Sequence, residues 1–255
     1  GRRYRSGGYL ADVALDDGRC APRGICVCSG RLMTTASRDL EVSLARRWGI
    51  VAGMDEVGRG ALAGPVAVGV VLIGVDAAPV PEGLTDSKAL TPRRREALVD
   101  PVREWGLAYA VGYASPQEID DWGIIAALRL AGRRALADVA SHGFVPGGVL
   151  LDGSHDWLSA PDDLFGAIDG PDDPFGVDLP VQMQVKADAS CAVVAAASVL
   201  AKVERDHLMQ DLEDPGYGWA SNKGYGSAAH TRAIVELGVS EHHRRSWKMP
   251  TQATK

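Results

Sequence analysis

The segment Gly53-Met54-Asp55-Glu56-Val57-Gly58-Arg59-Gly60 places two adjacent acids between two apolar runs of the chain. The first run covers residues 49–52, and the second, residues 65–75, is rich in the β-branched residues that favour strands. Strand, tight turn and strand predict a β-hairpin with the acids at the end of its first strand. Because buried charge is costly without compensation, these acids need either a cation or a solvated turn. A solvated turn is the simpler interpretation of this pair taken alone.

The turn after the acids also fits a pattern found in dinucleotide-binding proteins. Gly58-Arg59-Gly60-Ala61-Leu62-Ala63 matches G-x-G-x-x-G/A. That fingerprint requires a helix directly after the turn, because the helix N-terminus binds the pyrophosphate. Pro65 and the β-branched residues that follow predict a strand instead. The sequence therefore disfavours a nucleotide cofactor at this turn.

The composition fits one large globular domain with small appendages, because 46% of the 255 residues are hydrophobic and 24% are charged. The net charge is −6, so any nucleic-acid surface requires a local cluster of basic residues. No apolar run reaches the length of a membrane span. The four cysteines are Cys20, Cys26, Cys28 and Cys191. Their spacing does not suggest a disulfide framework, which favours a cytoplasmic protein. The first three could bind zinc only with a fourth ligand, and none lies nearby in the sequence.

The chain divides by composition into three parts. Residues 1–32 are rich in Gly and Arg, show no periodicity and carry no secretory signal, which predicts a disordered arm. A further hypothesis is that Met33 is the natural start, which N-terminal sequencing of the endogenous protein would test. Residues 33–210 alternate strand and helix patterns, which predicts an α/β domain. Residues 211–255 predict a helical C-terminal part with a loose tail.

Capping signals mark several helices. An amphipathic helix is predicted over 39–48. Thr91 and Pro92 begin another helix, whose basic first turn opposes the helix dipole and is either solvated or bound to phosphate. The pattern 115–120 opens a helix that extends to about Ala140. Further helices are predicted at 189–209 and 228–237, strands at 106–113 and 181–186, and an acidic loop without Lys or Arg at 156–180.

Two more acids follow predicted strands. Asp152 ends the apolar strand 149–151, and Asp188 lies just after strand 181–186 at the start of a helix. Each has a simpler interpretation, since Asp-Gly is a common turn and Asp a good helix cap. Together with Asp55 and Glu56, however, they are expected to meet at one edge of a sheet.

Four carboxylates at one edge repel each other unless divalent cations lie between them. Oxygen ligands without adjacent His or Cys select Mg²⁺ or Mn²⁺. Two such ions roughly 4 Å apart activate water and stabilise the leaving oxygen in phosphoryl transfer. The sequence therefore predicts a two-metal hydrolytic site.

The ordered set of motifs over about residues 50–248 resembles bacterial ribonuclease HII. The motifs are Gly53 to Gly60, Asp86-Ser87-Lys88-x-Leu90, Leu151-Asp152-Gly153, Lys186-Ala187-Asp188-Ala189, Ala195 to Asp206, Lys223-Gly224-Tyr225-Gly226 and His243-Arg244-x-Ser246-Trp247. Ser227 stands where that family usually has Thr, and Trp247 where Phe is common. Residues 1–32 resemble nothing in the family.

The resemblance implies a ribonuclease H-like α/β fold, in which a mixed central sheet is flanked by helices and followed by a C-terminal helical extension that recognises substrate. It implies hydrolysis of the RNA strand of RNA/DNA hybrids and incision 5′ of single ribonucleotides in duplex DNA, leaving 3′-hydroxyl and 5′-phosphate ends. Asp55 would bridge two Mn²⁺ or Mg²⁺ ions, Asp188 would help to hold the ion that activates water, and Glu56 and Asp152 would hold the other.

The resemblance also assigns substrate contacts. Gly58, Arg59 and Gly60 would bring the backbone close to a 2′-hydroxyl. Tyr225 would stack on the following deoxynucleotide. Phosphate contacts are expected from three lysines, Lys88, Lys202 and Lys223. A cytoplasmic monomer that removes ribonucleotides from DNA is implied.

Two other functions remain open from the sequence. One is a different two-metal nuclease or junction resolvase of the same fold. The other is a protein that binds RNA/DNA hybrids without cleaving them, although the presence of all four acids disfavours it.

Overall fold

A computed structural model of the chain describes residues 36–160 and 170–250. The predicted N-terminal arm, part of the acidic loop and the last five residues lie outside the described residues. In chain order the elements are α1 (Asp39–Trp48), β1 (Val51–Val57), β2 (Val66–Ile73), a short 3-10 helix (Ser87–Ala89), α2 (Pro92–Trp105), β3 (Ala108–Ala114), α3 (Pro116–Ser141), β4 (Gly148–Asp152), β5 (Val181–Gln184), α4 (Ala187–Ser190), α5 (Ala192–Asp211), α6 (Trp219–Asn222) and α7 (Ala228–Leu237).

The five strands form one mixed sheet in the order β3-β2-β1-β4-β5. The predicted hairpin is confirmed, because β1 pairs antiparallel with β2 along its whole length. β3 extends the antiparallel part, whereas β4 and β5 run parallel to β1. The carboxyl ends of β1, β4 and β5 therefore lie at the same edge of the sheet.

Each face of the sheet packs against a different set of helices. Along β2, Val66, Val68 and Val70 join the core beneath α3, while Val71 and Ile73 join the core beneath α1, α2 and α5. This alternation follows from the two-residue period of strand side chains. A mixed sheet flanked by helices, the predicted fold class, is thus confirmed.

The C-terminal helices build a smaller third core against the end of α5. It contains Met209, Tyr217, Trp219 and Ile234, and Ala63 from the turn after β1 packs with them. The short segment after β1 is thereby held by residues near the end of the chain. The predicted division at residue 210 stays a prediction.

The predicted capping signals are present. Thr91 accepts a hydrogen bond from the Arg94 N–H group, with Pro92 at the first helical position. Ser115 and Glu118 form a reciprocal capping box at the start of α3. Ser227 caps α7 by accepting from the His230 N–H group, so the usual Thr is not required there.

Four details differ from the sequence prediction. Strand β1 continues to Val57, so Asp55 and Glu56 lie within its last three residues and not after it. The helix predicted over 189–209 is divided into α4 and α5, because Cys191 between them has extended backbone angles (φ −118°, ψ 121°). Strand β5 ends at Gln184, since Lys186 adopts a left-handed conformation (φ 58°). Helix α3 is kinked at Gly123 (φ 78°).

The acidic loop after β4 is tied to α3 where it is described. The guanidinium of Arg133 lies 3.5 Å from Asp173 Oδ2 and 3.2 Å from Asp178 Oδ1. Within the described part of the chain, no helix has the length and apolar character needed to cross a bilayer.

Candidate active site

Strand pairing brings the four predicted acids to one edge of the sheet. Met54 of β1 is opposite Leu151 of β4, so the acids that follow each residue emerge side by side. Asp152 is in turn opposite Gln184, the last residue of β5, and α4 with Asp188 begins three residues later. The acids therefore come from two adjacent parallel strands and the short helix after a third.

Hydrogen bonds fix the orientation of three of these carboxylates. Asp55 Oδ1 accepts from the Glu56 N–H group at 2.8 Å. Asp152 Oδ1 accepts from the Ala187 N–H group at 2.7 Å, which ties β4 to the start of α4. Asp188 Oδ2 accepts from the ammonium of Lys88 at 2.9 Å. Asp55 and Asp188 are only 3% and 5% exposed.

Burial and the charges of neighbouring carboxylates make ionisation of these acids less favourable. Burial raises the pKa of Asp55 to about 7; a hydrogen bond from Ser198 opposes this rise, and the charges of Glu56 and Asp152 add to it. Burial also raises the pKa of Glu56, and Arg59 opposes that rise. Burial, followed by the charge of Asp188, raises the pKa of Asp152. The cluster is therefore short of positive charge.

Lys88 supplies one positive charge from the chain itself. Burial acts to lower its pKa, but the hydrogen bond to Asp188 and the attraction of Asp55 outweigh burial and raise it. The 3-10 helix carrying Lys88 is fixed by Ser87, whose hydroxyl lies 2.8 Å from the Ser198 hydroxyl of α5. Arg95 donates to the Ser87 and Leu90 carbonyls, so this basic residue of α2 is used structurally.

The donor set suits a hard divalent cation. It contains oxygen ligands alone, and it gathers buried carboxylates whose ionisation a cation would favour. Among residues 36–160 and 170–250, however, no group of three or more His, Cys, Asp or Glu side chains is already arranged to hold a metal ion. Lys88 and the Ala187 amide occupy oxygens of Asp188 and Asp152 instead.

The Gly58-Arg59-Gly60 turn is held by two buried arginines. Arg244 donates to the carbonyls of Gly58 at 2.6 Å and Arg59 at 2.8 Å. Arg205 donates to the Pro65 carbonyl at 2.8 Å, and a Cβ at Gly58 (φ 83°) would lie 2.1 Å from its Nε atom. Glycine is therefore required at the first turn position for both conformation and space. Arg59 itself reaches back to Glu56 Oε1 at 3.4 Å.

Sequence reasoning gave neither arginine a role. Arg205 and Arg244 fell inside motifs that carried the resemblance, but hydrogen bonds to backbone carbonyls distant in sequence leave no local pattern that would indicate them. Both are fully buried. Arg205 also donates to the Lys223 carbonyl at 3.0 Å, so it connects the turn with the loop before Tyr225.

The predicted substrate residues Lys202, Lys223 and Tyr225 lie together. They line one cleft of about 410 Å³ beside α2 and α5. Tyr225 is 36% exposed, and the Lys202 ammonium is 5.6 Å from the centroid of its ring. Lys202 pairs with Asp206 at 2.7 Å, and Lys223 donates to the Ala220 carbonyl. Lys88 lies instead among the acids.

The chain matches a known protein family over most of its length. The family model described as ribonuclease HII matches residues 52–250, a span that runs from the second residue of β1 to beyond α7. The chain belongs to the ribonuclease HII family. It is therefore a hydrolytic nuclease of the ribonuclease H class, an endoribonuclease acting on RNA/DNA.

Individual relatives agree with this family. Ribonuclease HII of Streptomyces griseus subsp. griseus is 47% identical over 218 residues, covering 84% of this chain and 82% of the relative. Ribonuclease HII of Paracoccus denitrificans is 46% identical over 202 residues, covering 77% and 84%. Among solved structures, ribonuclease HII of Archaeoglobus fulgidus, in a complex with PCNA, superposes with a TM-score of 0.57 at 25% identity, covering 80% of this chain and 98% of that chain.

Proposed function

We propose that this ribonuclease HII hydrolyses the RNA strand of RNA/DNA hybrids and incises duplex DNA 5′ of single embedded ribonucleotides. The products are a 3′-hydroxyl and a 5′-phosphate. The observation that supports this most directly is the meeting of Asp55, Glu56, Asp152 and Asp188 at one sheet edge, beside the turn formed by residues 58–60. Carboxylates whose pKa values are raised by burial and by neighbouring charge are typical of functional sites.

The same four acids would hold two divalent cations, Mg²⁺ or Mn²⁺. When bound, such ions lower the pKa of a coordinated water and stabilise charge on the leaving oxygen. The chain supplies the rest of the site. Its rigid sheet edge sets the spacing of the carboxylates, and Lys88 neutralises part of their charge.

Recognition of the ribonucleotide is assigned to the turn and to Tyr225. Arg244 binds the carbonyls of Gly58 and Arg59, which holds the turn in one conformation. A backbone fixed in this way can bond a 2′-hydroxyl, the group that distinguishes RNA from DNA. Tyr225 presents an exposed ring for stacking on the following nucleotide.

Lys88, Lys202 and Lys223 are proposed to contact phosphates. Such contacts position the duplex without reading its sequence. In this proposal the protein acts as a cytoplasmic monomer that removes ribonucleotides from DNA. Residues 211–255 form part of the surface that binds the substrate.

A paired-substrate cleavage assay tests the proposal. Three duplexes of one sequence are compared: DNA with a single ribonucleotide, a long RNA/DNA hybrid, and DNA alone. We expect cleavage of the first two in Mg²⁺ or Mn²⁺, with the cut 5′ of the ribonucleotide, and no cleavage of the third or in a chelator. Asp55→Asn should lose activity while keeping its fold by circular dichroism.

Other outcomes separate the alternatives. Cleavage of the all-DNA duplex or of a four-way junction would indicate another nuclease of this fold. Tight binding of the hybrid without turnover, unchanged in Asp55→Asn, would indicate a binding protein.

A further inference from the structure

Two buried histidines connect the C-terminal segment to the loop that carries Tyr225. His230 lies in α7 and His243 in the segment after it, and they are 0% and 1% exposed. Their Nε2 atoms are 3.1 Å apart. The other ring nitrogen of His230 lies 2.9 Å from the carbonyl oxygen of Tyr225. The hydrogen-bonded chain therefore ends on the backbone of the proposed stacking residue.

The partners at both ends determine which nitrogens carry protons. The Ser240 N–H group donates to His243 Nδ1 at 3.0 Å, so this nitrogen is an acceptor. Nε2 of a neutral His243 then carries the proton and donates to His230 Nε2. Because the Tyr225 carbonyl can only accept, the proton of His230 is on Nδ1. All the hydrogen bonds thus run in one direction, from Ser240 to Tyr225.

The surroundings of His243 favour a neutral ring in a fixed position. Burial, followed by the charges of His230, His242 and Arg245, lowers the pKa of His243 to about 4. The ring of Tyr217 packs edge-on against His243 with centroids 4.7 Å apart. The His243 ring is therefore held in place and uncharged near neutral pH.

The ring of Tyr225 lies near the cations of Lys202 and Arg205, whereas its backbone is held by hydrogen bonds. Its carbonyl also accepts from the Ser227 N–H group at 2.8 Å, and its N–H group donates to the Asn222 carbonyl at 2.9 Å. These two bonds lie within the loop itself, while the preceding Gly224 carbonyl accepts from the Leu62 and Ala63 N–H groups just after the Gly58 turn. His230 and His243 add a second connection, from the Tyr225 carbonyl to the segment after α7, which is bridged in turn to Ala63.

We propose that His230 and His243 are positioning residues that fix Tyr225 relative to the Gly58-Arg59-Gly60 turn and so set the preference for ribonucleotide junctions. This rests on the proposed function, in which Tyr225 stacks beside the junction and the turn reads the 2′-hydroxyl. Neither histidine touches the substrate.

Substitutions that keep or remove the proton donor test the proposal. His230→Phe removes the donor to Tyr225, whereas His230→Asn places an amide N–H near the Nδ1 position. The measured quantity is the ratio of kcat/KM on a single-ribonucleotide duplex to kcat/KM on a long hybrid. We expect this ratio to fall about fivefold to tenfold in His230→Phe, as for the loss of one buried hydrogen bond, and to stay within about threefold in His230→Asn. His142→Phe, the same change at an exposed histidine, is the matched control.

A double-mutant cycle shows whether the effect passes through Tyr225. In a Tyr225→Ala background, His230→Phe should leave the ratio unchanged, because the side chain being positioned is absent. An equal loss in both backgrounds, or a ratio in His230→Phe equal to that of the wild type, would overturn the proposal.

A spectroscopic measurement on the unsubstituted protein is independent of folding defects and of activity. Ring ¹⁵N chemical shifts at pH 7 should show the proton of His230 on Nδ1 and the proton of a neutral His243 on Nε2. The opposite tautomer at either ring would contradict the chain of hydrogen bonds. A wild-type enzyme that ignores single ribonucleotides would instead overturn the proposed function and the specificity role together, while the ring tautomers would still report on the hydrogen bonds.

Discussion

Individual side chains in the site act through their hydrogen bonds and through the charge of their neighbours. Asp55 is buried beside two other acids, and the Lys88 ammonium donates to Asp188. Tyr225 has a different environment, since its ring is partly exposed and the guanidinium carbon of Arg205 lies 5.5 Å from its centroid. The acids are thus buried among like charges, whereas the ring of the tyrosine is accessible from solvent.

Tyr225→Ala should weaken incision at single ribonucleotides more than cleavage of long hybrids. A base stacked on an aromatic ring contributes about 1–3 kcal/mol, which corresponds to a loss of roughly 5-fold to 150-fold on the single-ribonucleotide substrate. Steady-state kinetics on the two substrates measures the difference. Tyr225→Phe, which keeps the ring, should retain most of the activity. An equal loss on both substrates would refute a role at the junction.

At the scale of secondary-structure elements, side chains from distant segments hold the site in place. Glu41 of α1 is fully buried and accepts from the Val193 N–H group at 2.8 Å, so it caps the first turn of α5. Its second oxygen has no hydrogen-bond partner among the described residues and lies 3.9 Å from the Arg38 Nε atom. Arg244 plays a comparable part for the turn after β1.

The stability of the wild type relative to Glu41→Gln should fall as pH rises. Burial raises the pKa of Glu41 from 4.5 to about 7, opposed by the Val193 hydrogen bond and the charge of Arg38. The pKa of Glu41 is higher in the folded state than in the unfolded state. The contribution of Glu41 to the free energy of unfolding is therefore complete below about pH 4.5, and it is lost as pH rises through about 7. Urea denaturation at pH 5 and pH 8 should show a relative loss on the order of 2 kcal/mol. A difference that is independent of pH would contradict this assignment.

Arg244→Lys should destabilise the protein and reduce ribonucleotide incision. Three nitrogens of the guanidinium donate to the carbonyls of Gly58, Arg59 and Gly64. The single ammonium of a lysine cannot donate to all three carbonyls in this planar arrangement. We expect a loss of about 2–4 kcal/mol in the free energy of unfolding, measured by urea denaturation. Arg232→Lys, the same change at an exposed arginine in α7, provides the control. Unchanged stability and activity in Arg244→Lys would show that the turn keeps its conformation without the guanidinium hydrogen bonds.

At the scale of the whole molecule, the sheet order explains why acids distant in sequence meet. The apolar run 149–151 and the acids at Asp55 and Asp152 were sufficient to predict strands whose carboxyl ends share an edge. The capping signals at Thr91 and Ser115 likewise fixed where two helices begin. These features depend on local patterns, which a sequence displays directly.

Other features depended on contacts that no local pattern reveals. The position of Lys88 beside Asp188 follows from the docking of the 3-10 helix on α5 through Ser87. The break at Cys191 lies within a run of Ala and Val that reads as one helix, and it arises because Ser37 pairs with Cys191 in an isolated bridge. Both outcomes are tertiary effects that override local propensity.

Measuring the affinity of the protein for Mn²⁺ tests most directly whether the four acids form a shared metal centre. Calorimetric titration should show binding to the wild type, unchanged affinity in Glu82→Gln, which alters an exposed acid outside the cluster, and a loss of roughly 10-fold to 100-fold or more in Asp152→Asn. Because Asp152 comes from a different strand than Asp55, its effect reports on the convergence of the acids. Wild-type affinity in Asp152→Asn would contradict the account.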